Sequence, residues 1–203
     1  MGQGPPSTSI MVSRYLTLLV LSLAACSKSP AEPDPPPAAA PQGPAVAPLQ
    51  WTAPAAWTAQ DPPKSGPKKA AYKVTKAGDD KEEADIEVLF YGTGALGDPA
   101  KRFKEWFDQF DGDVGAKAKR ERFEVGALEV EMVEVSGTYK IALGPPVGPK
   151  KRAAMQMVKD NFRLVGAAVK TPDRGTWFFK MSGPSDTVQA ARDAFRTMLQ
   201  SAK

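Results

Sequence analysis

Thr176-Trp-Phe-Phe-Lys-Met-Ser182, then Gly183-Pro-Ser-Asp186, then Thr187 through Gln200, is the stretch in which the periodicity of this chain changes. Trp177, Phe179 and Met181 alternate with their neighbours, the period of a strand with one apolar face. Gly183-Pro184 stops that strand, and Ser185-Asp186 supplies oxygens suited to the first turn of a helix. Val188, Ala191, Phe195, Met198 and Leu199 then recur at helical spacing and predict a C-terminal helix with these residues inward. Immediately upstream, Phe162–Lys170 and Thr176–Ser182 read as a hairpin across Thr171-Pro-Asp-Arg-Gly175. A hairpin running straight into an amphipathic helix means that the helix folds back onto a sheet.

Working outward, Ala71–Thr75 and Ala84–Tyr91 read as two further strands joined by the polar turn Ala77-Gly-Asp-Asp80. Ile86, Val88 and Phe90 share one face of the second, while Leu89 and Tyr91 put apolar bulk on the other. Asp98-Pro99 opens a helix, a capping carboxylate followed by proline at the first helical position. Phe103, Trp106, Phe107 and Phe110 continue it as a stripe that runs until Gly112 and Gly115. Leu128, Val130 and Met132 alternate with glutamates in a strand that shifts phase near Val133 and runs on past Gly137 to Ala142. Lys150–Asp160 reads as a short helix, and Trp51–Trp57 as an extended, proline-interrupted entry segment. The order predicts a single α+β domain over residues 51–203, a mostly antiparallel sheet packed between helices.

Ahead of it lie two segments of other character. Residues 27–50 are rich in proline and alanine and contain no aromatic residue. Prolines remove backbone donors, so a spacer is expected there, with a reach of roughly 70 Å if extended. Before that, Arg14 precedes the apolar run Tyr15–Leu23, about nine residues, well short of the ~20 that span a bilayer as a helix. The run ends in Leu23-Ala-Ala-Cys26. In this order and spacing the segment 11–26 resembles the bacterial lipoprotein signal, whose lipobox is an aliphatic residue, two small ones and a cysteine. The resemblance implies diacylglyceryl attachment to the Cys26 sulfur, cleavage between Ala25 and Cys26, and acylation of the new amino group. Residues 1–25 are then a cleaved signal peptide, with Met11 an alternative start, and residues 26–50 the lipidated cysteine and its tether. Ser27 rather than aspartate after the cysteine implies the outer membrane in a Gram-negative cell. Pro6 excludes the rival myristoylation motif at Met1-Gly2.

Composition narrows the function classes. The chain of 203 residues has no histidine, and its one cysteine is Cys26. An intrachain disulfide and a Cys/His zinc site are therefore both excluded. A formal charge of +4 from 27 basic and 23 acidic residues, well mixed, is too mild for nucleic acid. Lys117, Lys119, Arg120, Arg122 and the run Lys150-Lys-Arg152 are its densest cations, suited to phospholipid heads or an acidic envelope polymer if they converge.

Several motifs fail on context. Gly92-Thr-Gly-Ala-Leu-Gly97 matches G-x-G-x-x-G between a strand and a helix. A dinucleotide site, however, needs the helix to begin within the glycines, and Asp98 puts a carboxylate where a phosphate would lie. No cofactor is expected. Gly92, Gly94 and Gly97 remain the first choice for a ligand loop, since exposed loops often carry function. Ser65-Gly-Pro-Lys68 matches S-x-x-K, but Gly-Pro forbids the helix that brings lysine over serine. Asp108, Asp111 and Asp113 invite calcium, yet an EF-hand frame from Asp111 finds Ala116 and Arg122 where glycine and glutamate belong, so no metal is expected.

In element order the domain resembles the PsbP-like fold of photosystem extrinsic proteins. Gly92–Gly97, Trp106-Phe-Asp-Gln-Phe110, Ser136-Gly-Thr-Tyr139 and Trp177-Phe-Phe-Lys180 are also similar to segments of uncharacterised bacterial lipoproteins. The resemblance spans residues 51–201 and implies no activity. The resulting expectation is an exported, membrane-anchored lipoprotein with no catalytic residues, binding or scaffolding an envelope protein or polymer. One alternative is a periplasmic hydrolase using a Ser/Lys pair or two carboxylates, with Glu87 or Glu129 as a member. Another is a carrier of apolar ligands, with a cavity lined by Trp106, Phe110 and Trp177.

Overall fold

The computed structural model of the chain describes residues 48–143, 146–147, 152–153 and 156–203. The signal segment, Cys26 and the Pro/Ala-rich stretch to residue 47 lie outside them. In chain order the elements are β1 (Thr58–Gln60), β2 (Lys68–Val74), β3 (Ala84–Phe90), α1 (Pro99–Phe107), β4 (Lys119–Val125) and β5 (Leu128–Ala142). They continue with β6 (Pro146–Val147), β7 (Arg152–Ala153), β8 (Gln156–Thr171), β9 (Gly175–Pro184) and α2 (Ser185–Gln200). Seven strands form one sheet in the order β1-β2-β3-β9-β8-β5-β4, antiparallel throughout, and β6 pairs with β7. The fold is α+β, as expected.

Both faces of the sheet are covered. On one, α2 buries Val188, Ala191, Phe195, Met198 and Leu199 against Ile86, Val88, Val165, Ala167, Phe179 and Met181. On the other, α1 buries Phe103, Trp106 and Phe107 against Leu89, Val133, Leu164, Ala168 and Phe178. Each fully buried Phe, Leu or Met side chain contributes about 1.5–3 kcal/mol. Gln50 exchanges two backbone hydrogen bonds with Lys203, both 3.0 Å, so the two ends of the domain are tied together beside the buried Leu49.

Four readings need correction. β5 does not shift phase at Val133, because its pairing with β8 is regular from Glu129 to Gly137. What changes there is the covering element: Leu128, Val130 and Met132 face α2, whereas Val133 and Val135 face α1. The irregularity lies later, between Gly137 and Tyr139, where Asn161 of β8 adopts φ 52°. Secondly, the described residues of Lys150–Asp160 are not helical: Arg152–Ala153 pair with β6, and Gln156–Asp160 belong to β8, where Gln156–Lys159 pair with Ala142–Tyr139 of β5. Thirdly, α1 ends at Phe107, not at the glycines, with Asp108 at its C-cap. Phe110 lies past the helix in a bridge to Tyr139, and its ring meets Tyr139 edge-on at 5.0 Å. Fourthly, the expected order has no element between the first helix and the strand from Leu128, but β4 lies there, its apolar positions confined to Phe123 and Val125 at its end.

Candidate binding site at the glycine loop

β3 delivers the chain from Phe90 into the glycine loop. Gly92 takes φ +89°, a conformation that favours glycine, and Ala95–Gly97 form a 3-10 turn closed by the Gly97 N–H donating to the Gly94 carbonyl at 2.9 Å. Asp98 then caps α1, its Oδ1 accepting from the Ala100 N–H at 3.0 Å. The amide end of this helix is therefore occupied by the chain's own carboxylate, as the Asp98-Pro99 signal indicates.

The β8–β9 turn packs beside this loop. Thr171 Oγ1 accepts from the Arg174 N–H at 2.7 Å and donates to the Gly175 carbonyl at 2.9 Å. Gly175 has φ +75°, and a Cβ there would stand 3.2 Å from both the Gly92 carbonyl oxygen and Thr93 Cα, so the two turns approach at backbone contact. Next to them opens a cleft of about 360 Å³. Phe90 and Trp177 line its floor, stacked with centroids 4.6 Å apart and 20° between planes. Lys69, Thr93, Asp173 and Arg174 form a polar rim, and Pro48 lines it where the chain enters the domain. Trp177 Nε1 is buried and has no hydrogen-bond partner among the described residues, an unusual state for an indole donor.

The structure separates other residues that the sequence reading grouped. Trp106 and Phe110 belong to the α1 side of the sheet and Trp177 to the α2 side, so no cavity is lined by all three. Glu87 is ion-paired with Lys68, the lysine of the S-x-x-K match, which sits in β2 rather than over Ser65 on a helix. Glu129 faces Lys170 at 3.7 Å, and Glu131 is held by Arg120 at 3.2 Å and Arg122 at 3.3 Å. Arg122, Glu129, Glu131 and Lys170 border a concavity of about 580 Å³ at the β4–β5 turn, where cations and carboxylates alternate. Asp108 pairs with Lys104 and Asp111 with Lys140, while Asp113 Oδ1 accepts from the Ala116 N–H. Among the described residues no three carboxylates are gathered to hold a metal ion. No helix among them is long and apolar enough to cross a membrane.

No family model matches the chain, and no curated protein matches it. Among solved structures it is similar to LpqN, a protein involved in cell envelope biogenesis of Mycobacterium tuberculosis. The two are 14% identical over 76% of this chain and 82% of that one, with a TM-score of 0.47.

Two buried charges escape sequence reasoning. Lys180, central in Trp-Phe-Phe-Lys-Met, points to the α1 side and is 8% exposed. Its Nζ donates to Gln109 Oε1 at 3.0 Å and to Tyr139 Oη at 3.3 Å, and Tyr139 donates to Gln109 at 2.6 Å. Burial pulls the Lys180 ammonium below its ordinary value and pushes the Tyr139 phenol up to about 12. Glu134, 5% exposed, sits on the α2 side of β5. Burial raises its pKa, but the hydrogen bond and charge of Arg163, with Lys119 and Arg192 behind, outweigh that and leave it lowered. Arg192 also reaches Glu121 at 3.3 Å, which pairs in turn with Arg196, so α2 is locked to β4, β5 and β8 by a shared ion network. The strand period alone could have placed Glu134 and Lys180 inward, had the covering of both faces been known.

Proposed function

We propose that this chain is an exported bacterial lipoprotein, held on a membrane by acyl chains on Cys26, whose domain is a non-catalytic binding or scaffolding module of the cell envelope. The observation that carries the reading is Leu23-Ala-Ala-Cys26, which closes an apolar run too short to span a bilayer and contains the chain's one cysteine. Each acyl methylene buried in the bilayer contributes about 0.8 kcal/mol, so two or three chains hold the protein firmly. A Cys26→Ser change in the exported, mature chain is expected to move the protein from the membrane to the fraction released by a high-salt wash. Retention of the Cys26→Ser chain in the membrane through a high-salt wash would remove the anchoring claim.

Within this reading the cleft beside Gly92, Gly94 and Gly97 is the recognition site. Its aromatic floor and charged rim suit a flat apolar group with a polar edge, presented by an envelope protein or polymer. A volume of about 360 Å³ lies at the small end of the ligand-pocket range and favours recognition of a protruding group over enclosure of a whole lipid. A photo-crosslinking residue at Thr93 in living cells is expected to give one discrete product, lost when Phe90 and Trp177 are changed to alanine. A product indifferent to those changes, or none, would remove the cleft as the site.

A further inference from the structure

The β5–β8 hairpin runs beyond the rest of the sheet. β4 leaves β5 at Glu134, and β9 leaves β8 at Phe162. The segment after α1 braces β5 a little further, through the Phe110–Tyr139 bridge and a Lys140 N–H bond to the Gln109 carbonyl of 2.7 Å. Past that point Ile141 pairs with Met157 and Ala142 with Gln156, with no third strand alongside among the described residues. The ribbon resumes as β6 against β7.

This arm carries most of the large apolar surface that the domain leaves open. Leu143 is 52% exposed, Met157 38% and Val158 54%; the other such residue among those described is Leu96 of the glycine loop, at 55%. Met157 and Val158 are successive residues and so point to opposite faces of the ribbon, the former opposite Ile141 and the latter opposite Lys140. Apolar side chains on both faces cannot be covered by folding the arm back onto one surface. They are covered together only if the arm enters a surrounding medium.

Charge selects that medium. From Leu143 to Val158 the sequence contains Lys150, Lys151 and Arg152 and neither aspartate nor glutamate, while the next cation, Lys159, is paired with Glu82. Apolar side chains accompanied by cations alone are complementary to the interface of an anionic bilayer. With an acylated Cys26, residues 27–47 reach about 65 Å when extended at about 3.1 Å per residue, so a bilayer is always within range. We propose that the arm, with Leu143, Met157 and Val158 as its insertion residues, docks the domain onto an anionic membrane surface. This second contact rests on the anchoring reading and deepens it: the acyl chains fix the membrane, and the arm fixes which side of the domain meets it.

The test uses the mature chain with Cys26→Ser, which has no acyl chains, in flotation with phosphatidylcholine vesicles and with vesicles that also hold roughly one-third phosphatidylglycerol. The chain is expected to float with the anionic vesicles about tenfold or more better than with the neutral ones, and to release as salt rises. Met157→Glu with Val158→Glu is expected to weaken flotation about tenfold without lowering the unfolding temperature, since both residues are exposed. Leu96→Glu, an equally exposed apolar site on the glycine loop, is expected to leave it unchanged. Absence of flotation, equal binding to both vesicles, or indifference to the double substitution would overturn the proposal. So would self-association abolished by that substitution in a chain that does not float. Because acylation is read separately from the mass of the native protein, failure of the arm and failure of the anchor are distinguishable.

Discussion

Asp80 caps the closing helix from 107 residues away: its Oδ2 accepts from the Thr187 N–H at 2.7 Å and from the Thr187 hydroxyl at 2.8 Å. Pro184, at the N-cap position, offers no side-chain acceptor, so a carboxylate from the β2–β3 turn does the work that Ser185-Asp186 are positioned for in sequence. Thr187 Oγ1 in turn accepts from the Ala77 N–H at 3.0 Å, which fastens the same turn to the helix. Asp80→Ala is therefore expected to destabilise the domain by about 1–2 kcal/mol in denaturant unfolding. A change below a few tenths would show that the helix start is satisfied by other groups.

The elements with one clear apolar period were legible. β9 and α2 show one alternating face and one helical stripe, and Val188, Ala191, Phe195, Met198 and Leu199 are all buried where the spacing puts them. Asp98-Pro99 marks the start of α1 because capping is a local interaction. What was not legible depends on partners distant in sequence. β4 reads as polar because it is an edge strand whose charges are matched by β5 and α2, and the first part of β8 reads as helical because its pairing with β5 leaves no trace in composition. The glycine loop was legible as a loop, but its neighbour across the cleft, Trp177, is 80 or more residues on and was grouped instead with Trp106 and Phe110.

Gly166 is required by Trp106. A Cβ on Gly166 would lie 2.3 Å from Cζ3 and 2.7 Å from Cε3 of that ring, with Val133 close on the other side at 3.4 Å. Both are buried, so the ring has no room to retreat. Gly166→Ala is expected to cost about 1–3 kcal/mol or more by overpacking, and Trp106→Leu in the same chain to recover part of it. Equal unfolding midpoints for Gly166→Ala and the parent would contradict this packing of α1 on β8.

Lys180 predicts a pH dependence. Its folded-state pKa lies below the unfolded value near 10.4, so between the two the unfolded chain holds more protons and stability rises with pH. Below that window the cost of burying the ammonium is fully present. Lys180→Met removes the charge and leaves Gln109 and Tyr139 bonded to each other. At pH 7 the variant is expected to be about 1 kcal/mol more stable than the parent, with the difference shrinking towards pH 10. A variant less stable at pH 7, or a difference independent of pH, would show that the amine is better solvated than its surroundings indicate.

Membrane attachment depends on the Cys26 sulfur. Mass spectrometry of the native protein's N-terminal peptide reads it directly. The expected product begins at Cys26, with Ala25 and everything before it removed, and carries the added mass of a thioether-linked diacylglycerol. A bare thiol on that residue, or a peptide that still contains Tyr15–Leu23, would contradict it.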